Sequence, residues 1–267
     1  MRDDDLRTFE REGAAPLPAA ALQGYVEHEG ARIWYASFGA GAPVMLLHGA
    51  FENGEDWGYQ VGSLIAAGFR AVLVDSRGRG RSTRGSQPLG YELMAGEVLA
   101  VMDALGLETT ALVGWSDGAI VGLILAMRHP ARVTRVFAFG CNMDFGGLKE
   151  LEPNPVLARA FARAKADYAR LSPAPGEFAE LADALNQLMK TEPNYRADEL
   201  AAIGLPVAIV AGELDEFIAR EHSEYLARTI PGAQLIVLPA VSHFAMLQRP
   251  AEFNRALLAF LGSAPSP

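Results

Sequence analysis

A serine between two glycines is the residue of this chain best suited to chemistry. The stretch 114–118 (Gly-Trp-Ser-Asp-Gly) follows the apolar run 110–113 and precedes a helix-like run over 119–126. An abrupt turn from strand to helix strains the backbone of its middle residue and needs small neighbours on both sides. Such a turn lifts the Ser116 hydroxyl above the sheet and leaves the Asp117 N–H at the helix N-terminus, where an oxyanion is stabilised. The pattern predicts a serine nucleophile.

A serine hydroxyl is a weak nucleophile at neutral pH, so it needs a base and a carboxylate that orients the base. Asp215 follows one apolar run and His243 follows the next. Because loops after neighbouring parallel strands gather at one edge of a sheet, both side chains can meet Ser116 there. Glu213 and Glu216 are rival acids, and the position of Asp215 after a Gly-x-x sequence favours it. We therefore predict a triad of Ser116, Asp215 and His243.

The elements that position these residues alternate between strands and helices. Short, continuous apolar runs are typical of strands covered on both faces, and the spacing of apolar residues between them indicates crossover helices. We expect a hairpin over 24–37, strands at 44–47, 71–74, 110–113, 133–139, 207–210 and 234–238, and helices at 57–67, 91–105, 119–126 and 253–261. This alternation predicts an α/β protein built on a parallel sheet.

The alternation is interrupted once. Residues 142–205 contain no convincing strand and are expected to form two or three helices broken by prolines, that is, a helical cap inserted between two strands. Residues 24–141 and 206–267 then form the core, and residues 1–23 a loose arm rich in alanine, proline and charge. As a group, the aromatic and methionine side chains of the cap are expected to roof a pocket: Phe145, Phe161, Tyr168, Phe178 and Met189.

Composition and net charge limit the functional classes to which this chain can belong. The 267 residues are 50% hydrophobic and can bury a large core. A net charge of −9 without a basic cluster argues against binding to nucleic acid or to anionic membranes. The N-terminal segment lacks the apolar stretch of a secretory signal and no stretch is typical of a membrane span, so we expect a cytoplasmic protein.

Cofactors and metals are not expected. The one cysteine, Cys141, excludes an intrachain disulfide and a cysteine-rich metal site, and a buried thiol is the interpretation we favour. The segment 77–82 lacks the Lys-Ser ending of a phosphate-binding loop, so a nucleotide site is not expected. The expected partner is a small-molecule substrate, and the sequence does not indicate an oligomeric state.

Four motifs resemble those of the α/β-hydrolase family, and the resemblance extends over nearly all of residues 24–261. They are His48-Gly49-Ala50, the segment 75–82, the serine turn at 114–118, and Gly212 to Asp215 together with His243. The resemblance implies an α/β-hydrolase fold, with a mostly parallel eight-stranded sheet flanked by helices and a small helical cap inserted after the sixth strand.

The same resemblance implies roles for neighbouring residues. The residue after the His-Gly pair, Ala50, is expected to donate the second oxyanion N–H beside that of Asp117, and a shift of the loop would transfer this role to Phe51. The segment 75–82 and His48 are expected to brace loops rather than to bind substrate or act as a second base. No cofactor is implied.

Within the family, the chain resembles less closely the valacyclovir hydrolase and biphenyl-hydrolase-like group. The Asp117 carboxylate could pair with a cationic group on the acyl part of an ester, such as the α-amino group of an amino acid; the alternative is that it caps the helix. Phe51, Trp115 and Phe244 adjoin the motif residues and are expected as pocket walls, although each could equally belong to the core.

These observations predict a serine hydrolase that cleaves a small carboxylic ester through an acyl-enzyme on Ser116. Carbon–carbon bond hydrolases, lactonases, perhydrolases and acyltransferases share the same triad and stay open as alternatives. A serine at the turn argues against haloalkane dehalogenase and epoxide hydrolase chemistry, which uses a carboxylate nucleophile. A non-catalytic small-molecule receptor on the same fold is the alternative from another class.

Overall fold

The β-strands form one eight-stranded sheet in the order β1-β2-β4-β3-β5-β6-β7-β8, in a computed structural model that describes residues 6–152 and 154–262. The strands are β1 Leu22–His28, β2 Ala31–Phe38, β3 Pro43–Leu47, β4 Arg70–Val74, β5 Thr110–Trp115, β6 Val133–Phe139, β7 Val207–Gly212 and β8 Gln234–Leu238. β2 runs antiparallel to β1 and β4, and the remaining neighbours are parallel. The predicted hairpin and the mostly parallel sheet are confirmed.

Helices flank this sheet on both faces. They are α1 Arg7–Glu12, α2 Gly58–Ala66, α3 Tyr91–Ala104, α4 Asp117–Arg128, α5 Pro155–Leu171, α6 Phe178–Thr191, α7 Ala197–Leu200, α8 Arg220–Thr229, α9 Ala245–Gln248 and α10 Pro250–Gly262. Within the described ranges, no helix combines the length and apolar character needed to cross a membrane. The cytoplasmic location stays a prediction.

The two faces of the sheet belong to two separate hydrophobic cores because successive strand residues point to opposite sides. In β3, Met45 and Leu47 join the core that contains the buried faces of α3, α4 and α8, whereas Val44 and Leu46 join the core formed with α2 and α10. All six residues of β5 and of β7 are buried, as continuous apolar strands between two helical layers require.

The N-terminal segment differs from the expected loose arm over its described part. Leu6 and Phe9 are 0% and 4% exposed and pack in the core on the α2 side of the sheet. Glu10 pairs with Arg159 of α5 at 3.0 Å. One apolar residue in a six-residue helix, with Leu6 just before it, gives too weak a periodic signal to reveal this packing from sequence. Residues 1–5 lie outside the described part of the chain.

Helices α5, α6 and α7 lie between β6 and β7, where the cap is predicted. We call α5 and α6 the cap helices. Across 142–152 and 154–205 no extended strand is present, but Leu148 forms an isolated antiparallel bridge with Ile218 on the loop after β7. The division of the chain into a core and a cap domain stays a prediction.

Candidate active site

Ser116 lies at the junction of β5 and α4 in a strained conformation. Its backbone angles are φ 54° and ψ −117°, a left-handed region that residues other than glycine rarely adopt. The Ser116 N–H donates to the carbonyl of Phe139 at 2.9 Å, and its own carbonyl accepts from Ala119 and Ile120 as the first acceptor of α4. The strain is held in place by the strand on one side and the helix on the other.

The two glycines around Ser116 are required by close backbone approaches. A Cβ on Gly114 would lie 2.4 Å from the backbone of Ala119, and a Cβ on Gly118 would lie 2.1 Å from the Leu47 carbonyl oxygen. Neither contact leaves room for a methyl group. The spacing read from the sequence therefore reflects the packing of the turn against α4 and β3.

Asp215 and His243 meet at the same edge of the sheet. Asp215 follows β7 and His243 follows β8, and His243 Nδ1 lies 2.8 Å from Asp215 Oδ2. The other carboxylate oxygen, Oδ1, accepts the backbone N–H groups of Phe217 and Ile218 at 2.9 Å each. Burial opposes ionisation of Asp215, but the His243 charge and these hydrogen bonds outweigh it and lower the pKa of the carboxyl group. Asp215 is thus an ionised acceptor for the imidazole.

The rival acids make different contacts. Glu213 accepts the N–H of Ala240 at 2.7 Å, and Glu216 accepts the backbone N–H of His243 at 3.1 Å. Neither carboxylate takes the hydrogen bond of the His243 ring. The geometry favours Asp215 as the orienting acid.

Ser116 and His243 line one cavity of about 410 Å³ above the carboxyl edge of the sheet. Among the described residues no hydrogen bond joins the Ser116 hydroxyl to the imidazole; such bonds often tighten only in a substrate complex. Phe51, Trp115, Asp117 and Phe244 also line the cavity, as do Ala50 and the cap side chains Phe161, Phe178 and Met189. Phe145 and Tyr168, grouped with them in the sequence, are absent from this lining.

The Asp117 side chain contacts Tyr91 of helix α3 and does not cap helix α4. Its Oδ1 accepts the Tyr91 hydroxyl at 2.9 Å, whereas its Oδ2 is buried without a hydrogen-bond partner in the described structure. Burial raises the pKa of this carboxyl group, against the opposing effects of the Arg79 charge and the Tyr91 hydrogen bond. A residue of the cavity lining thus carries a buried carboxyl oxygen that lacks a hydrogen-bond donor.

The loop that carries Ala50 packs directly beside Ser116. A Cβ on Gly49 would lie 3.6 Å from the Ser116 Cβ. His48 fixes this loop: its Nδ1 donates to the Gly49 carbonyl at 2.7 Å and its Nε2 accepts the N–H of Ser76 at 3.0 Å. Burial and the Arg79 charge lower the pKa of His48 to about 3, so the ring is neutral and its nitrogens are both occupied. This geometry favours a loop brace over a second base.

The segment 75–82 makes structural contacts of the same kind. Asp75 accepts the N–H groups of Gly54 at 2.7 Å and Arg81 at 2.8 Å, and so ties two loops together. Arg77 forms a buried ion pair with Glu97 of α3. None of these side chains lines the cavity with Ser116.

Several residues of the cavity or beside the triad were missed by sequence reasoning. Gly140, just after β6 with φ 61°, lies so close to the triad that a Cβ would be 2.8 Å from His243 Cε1. Lys149 lines the cavity and donates from Nζ to the Asp215 carbonyl at 2.7 Å. Glu52 also lines it, as does Phe217, whose ring centroid is 4.7 Å from that of His243. The position of Gly140 at the end of a predicted strand could have indicated that it lies near the site. Lys149, Glu52 and Phe217 belong to no sequence pattern that would have indicated this.

Comparison with known proteins agrees with this fold. Residues 44–256 match the model of a family described as "Alpha/beta hydrolase family". The chain is similar to "Serine hydrolase BPHL" of Mus musculus, 27% identical over 94% of this chain and 90% of that protein. Among solved structures, "Est816 as an N-Acyl homoserine lactone degrading enzyme" is 29% identical with a TM-score of 0.71, over 89% of this chain and 100% of that chain. The enol-lactonase from Burkholderia xenovorans LB400, 24% identical with a TM-score of 0.72 over 90% and 100% of the two chains, shares the fold.

Proposed function

Because this chain belongs to the alpha/beta hydrolase family and is an enzyme that hydrolyses esters or related substrates, we propose that it cleaves a small carboxylic ester through an acyl-enzyme on Ser116. His243, oriented by Asp215, takes the Ser116 proton while Oγ attacks the ester carbonyl carbon. The backbone N–H groups of Ala50 and Asp117 stabilise the resulting oxyanion.

The second half of the cycle uses the same groups. The alcohol departs with the proton from His243. The acyl group then remains bound to Ser116. A water molecule then gives a proton to His243 and attacks the acyl carbon. Collapse of the second oxyanion breaks the bond to Oγ, which takes the proton back from His243, so the acid is released and the Ser116 hydroxyl is restored. In each step Asp215 must hold the imidazole through a hydrogen bond from Nδ1, so that Nε2 is the nitrogen that accepts and returns the proton.

One observation carries most of the support for this proposal. The 2.8 Å contact between His243 Nδ1 and Asp215 Oδ2 lies at the wall of the cavity that also contains a strained Ser116. Residues from three separate strand ends meet at this place, and an ionised Asp215 is what stabilises an imidazolium beside it.

The proposal is tested with a chromogenic ester such as p-nitrophenyl butanoate and with a fluorophosphonate probe. We expect a burst of p-nitrophenol and covalent labelling in the wild type, and loss of both in Ser116→Ala. Asp215→Asn should keep the fold and lower kcat by about 10⁴-fold, because the imidazole takes the wrong tautomer. Unchanged turnover in Ser116→Ala would contradict the proposal.

The free oxygen of Asp117 supports a finer assignment to amino-acid esters. Asp117 lines the cavity and its Oδ2 is buried without a hydrogen-bond partner in the described structure, which suits an ammonium group on the acyl part of the substrate. Asp117→Ala should lower the ratio of kcat/KM for an alanyl ester over the matching propanoyl ester. An unchanged ratio would remove this assignment and leave plain ester hydrolysis standing.

Lactone hydrolysis is the second candidate, since the similar protein Est816 is described as an N-acyl homoserine lactone degrading enzyme. A lactone is a cyclic ester, and the same Ser116 attack opens its ring. Comparison of γ-butyrolactone and ethyl butanoate in a pH-stat assay separates the two, because a lactonase turns over the first at the greater kcat/KM.

A further inference from the structure

Glu52 is a carboxyl group on the wall of a largely apolar cavity, and the proposed mechanism does not use it. It lies two residues after Ala50, is 9% exposed and lines the cavity together with Ser116 and His243. Much of the remaining wall consists of aromatic and aliphatic side chains: Phe51, Leu148, Leu151, Phe161, Phe178, Met189, Phe217 and Phe244. A polar group in such a wall fixes the orientation of a ligand when it has a free hydrogen-bonding atom.

The partner of Glu52 is a second carboxyl group. Asp56, which is 2% exposed, lies close enough to Glu52 for each carboxyl group to influence the pKa of the other, and it accepts the backbone N–H of Asn53 at 2.9 Å. Asp56 in turn lines a separate cavity of about 870 Å³ beneath the N-terminal segment. The pair therefore stands between two cavities, with Glu52 on the side of Ser116.

Nearby cations do not neutralise Glu52. Arg163 pairs with Asp167 at 2.5 Å, and Arg170 pairs with Glu55 at 2.6 Å. Among the described residues, no ion pair includes Glu52. Burial, followed by the charge and hydrogen bond of Asp56, raises the pKa of Glu52 well above its usual value. Beside Asp56, burial thus favours the protonated, neutral form of Glu52.

A protonated carboxyl group on a cavity wall still has a carbonyl oxygen able to accept a hydrogen bond. We propose that Glu52 determines specificity by accepting a hydrogen bond, at the cavity wall, from an N–H or O–H group of the ester substrate. The substrate class is thus an ester that carries a neutral hydrogen-bond donor on its acyl or its alcohol part. This inference rests on the proposed ester hydrolysis, and it is independent of whether Asp117 binds an ammonium group.

Two matched pairs of substrates test it. On the acyl side, p-nitrophenyl N-acetylglycinate and p-nitrophenyl 4-oxopentanoate differ only in an N–H group against a CH₂ group. On the alcohol side, 2-hydroxyethyl butanoate and propyl butanoate differ only in a hydroxyl against a methyl group. The quantity compared is the ratio of kcat/KM for the donor substrate over its partner, which does not depend on how much of a variant is folded.

We expect Glu52→Leu to lower this ratio by about threefold to tenfold in at least one pair, the loss of one hydrogen bond. Glu52→Gln is neutral and keeps a carbonyl acceptor of nearly the same size, so its ratio should stay within about twofold of the wild type. Glu55→Gln is the matched control, because Glu55 is a neighbouring carboxylate that does not line this cavity, and its ratios should not change.

An unchanged ratio in both pairs for Glu52→Leu would overturn the inference, as would an equal loss in Glu55→Gln. Failure of the underlying function is distinguishable, since a wild-type protein that hydrolyses none of the four esters contradicts ester hydrolysis itself. Fluorophosphonate labelling of Ser116 at the wild-type rate in Glu52→Leu confirms that the variant keeps its reactive serine.

Discussion

Gly140→Ala is the substitution that probes the triad geometry most sharply without removing a triad side chain. Gly140 has φ 61°, and a Cβ there would lie 2.8 Å from His243 Cε1, 2.9 Å from Nδ1 and 3.3 Å from Asp215 Oδ2. Since carbon atoms pack at about 3.5 to 4.0 Å, the imidazole must move by roughly 0.7 Å or more to admit the methyl group. A displacement of that order in a catalytic group costs about 10²-fold in rate.

The backbone contributes separately to the effect. Alanine in the left-handed conformation costs roughly 1 to 2 kcal/mol, and this term is present wherever a glycine of positive φ is replaced. Gly106 has φ 64° and nothing within 4 Å of its Cβ position, so Gly106→Ala carries the backbone term without the contact. The difference between the two variants isolates the collision with His243.

The assay combines urea unfolding with kcat/KM for p-nitrophenyl butanoate. Gly140→Ala should lose at least as much free energy of unfolding as Gly106→Ala, because the contact adds to the backbone term, and Gly140→Ala alone should lose about 10²-fold in kcat/KM. If Gly140→Ala were folded and kept kcat/KM within about twofold of Gly106→Ala, the placement of His243 against Gly140 would be refuted.

Further predictions concern stability and are all checked by urea unfolding. Phe9→Ala should lower the free energy of unfolding by about 3 kcal/mol because Phe9 is buried. Phe145→Ala removes a half-exposed ring and should lower it by less than about 1 kcal/mol. Equal effects would contradict the packing of Phe9 in the core and would favour the predicted loose N-terminal arm. Glu97→Gln should cost about 3 to 5 kcal/mol because it leaves a buried guanidinium uncompensated, and a cost below about 1 kcal/mol would contradict a buried pair. Burial raises the pKa of Asp56 to about 7, so between about pH 4 and 7 the folded protein holds a proton that the unfolded chain has lost. The free energy of unfolding should therefore fall as pH rises through this range, and Asp56→Asn should make the fall smaller.

The strands and the order of the site residues could be predicted because they are local features. Continuous apolar runs mark buried strands, and the residues just after β5, β7 and β8 follow once those runs are assigned. Helix α8 was missed because its ten residues are mostly polar and only His222, Ser223 and Leu226 are buried. Its single buried aliphatic residue leaves no apolar stripe to detect.

The rest of the site depends on contacts between distant parts of the chain. Glu52 and Lys149 are charged residues in loops, and their position on the cavity wall follows only from how the cap helices close over the sheet. Gly140 could be placed after a strand, but its 2.8 Å approach to His243 depends on β6 and β8 flanking β7. The assignment of Ser116, Asp215 and His243 as a working triad stays a prediction that activity measurements decide.

Identification of the residue that carries the acyl group tests the central claim most directly. The enzyme is mixed with p-nitrophenyl butanoate, quenched in acid during the burst and digested, and the peptides are analysed by mass spectrometry. The butanoyl group is expected on Ser116, with no butanoylated peptide from Ser116→Ala. A butanoyl group on another residue, or full turnover by Ser116→Ala with no covalent species, would contradict the account.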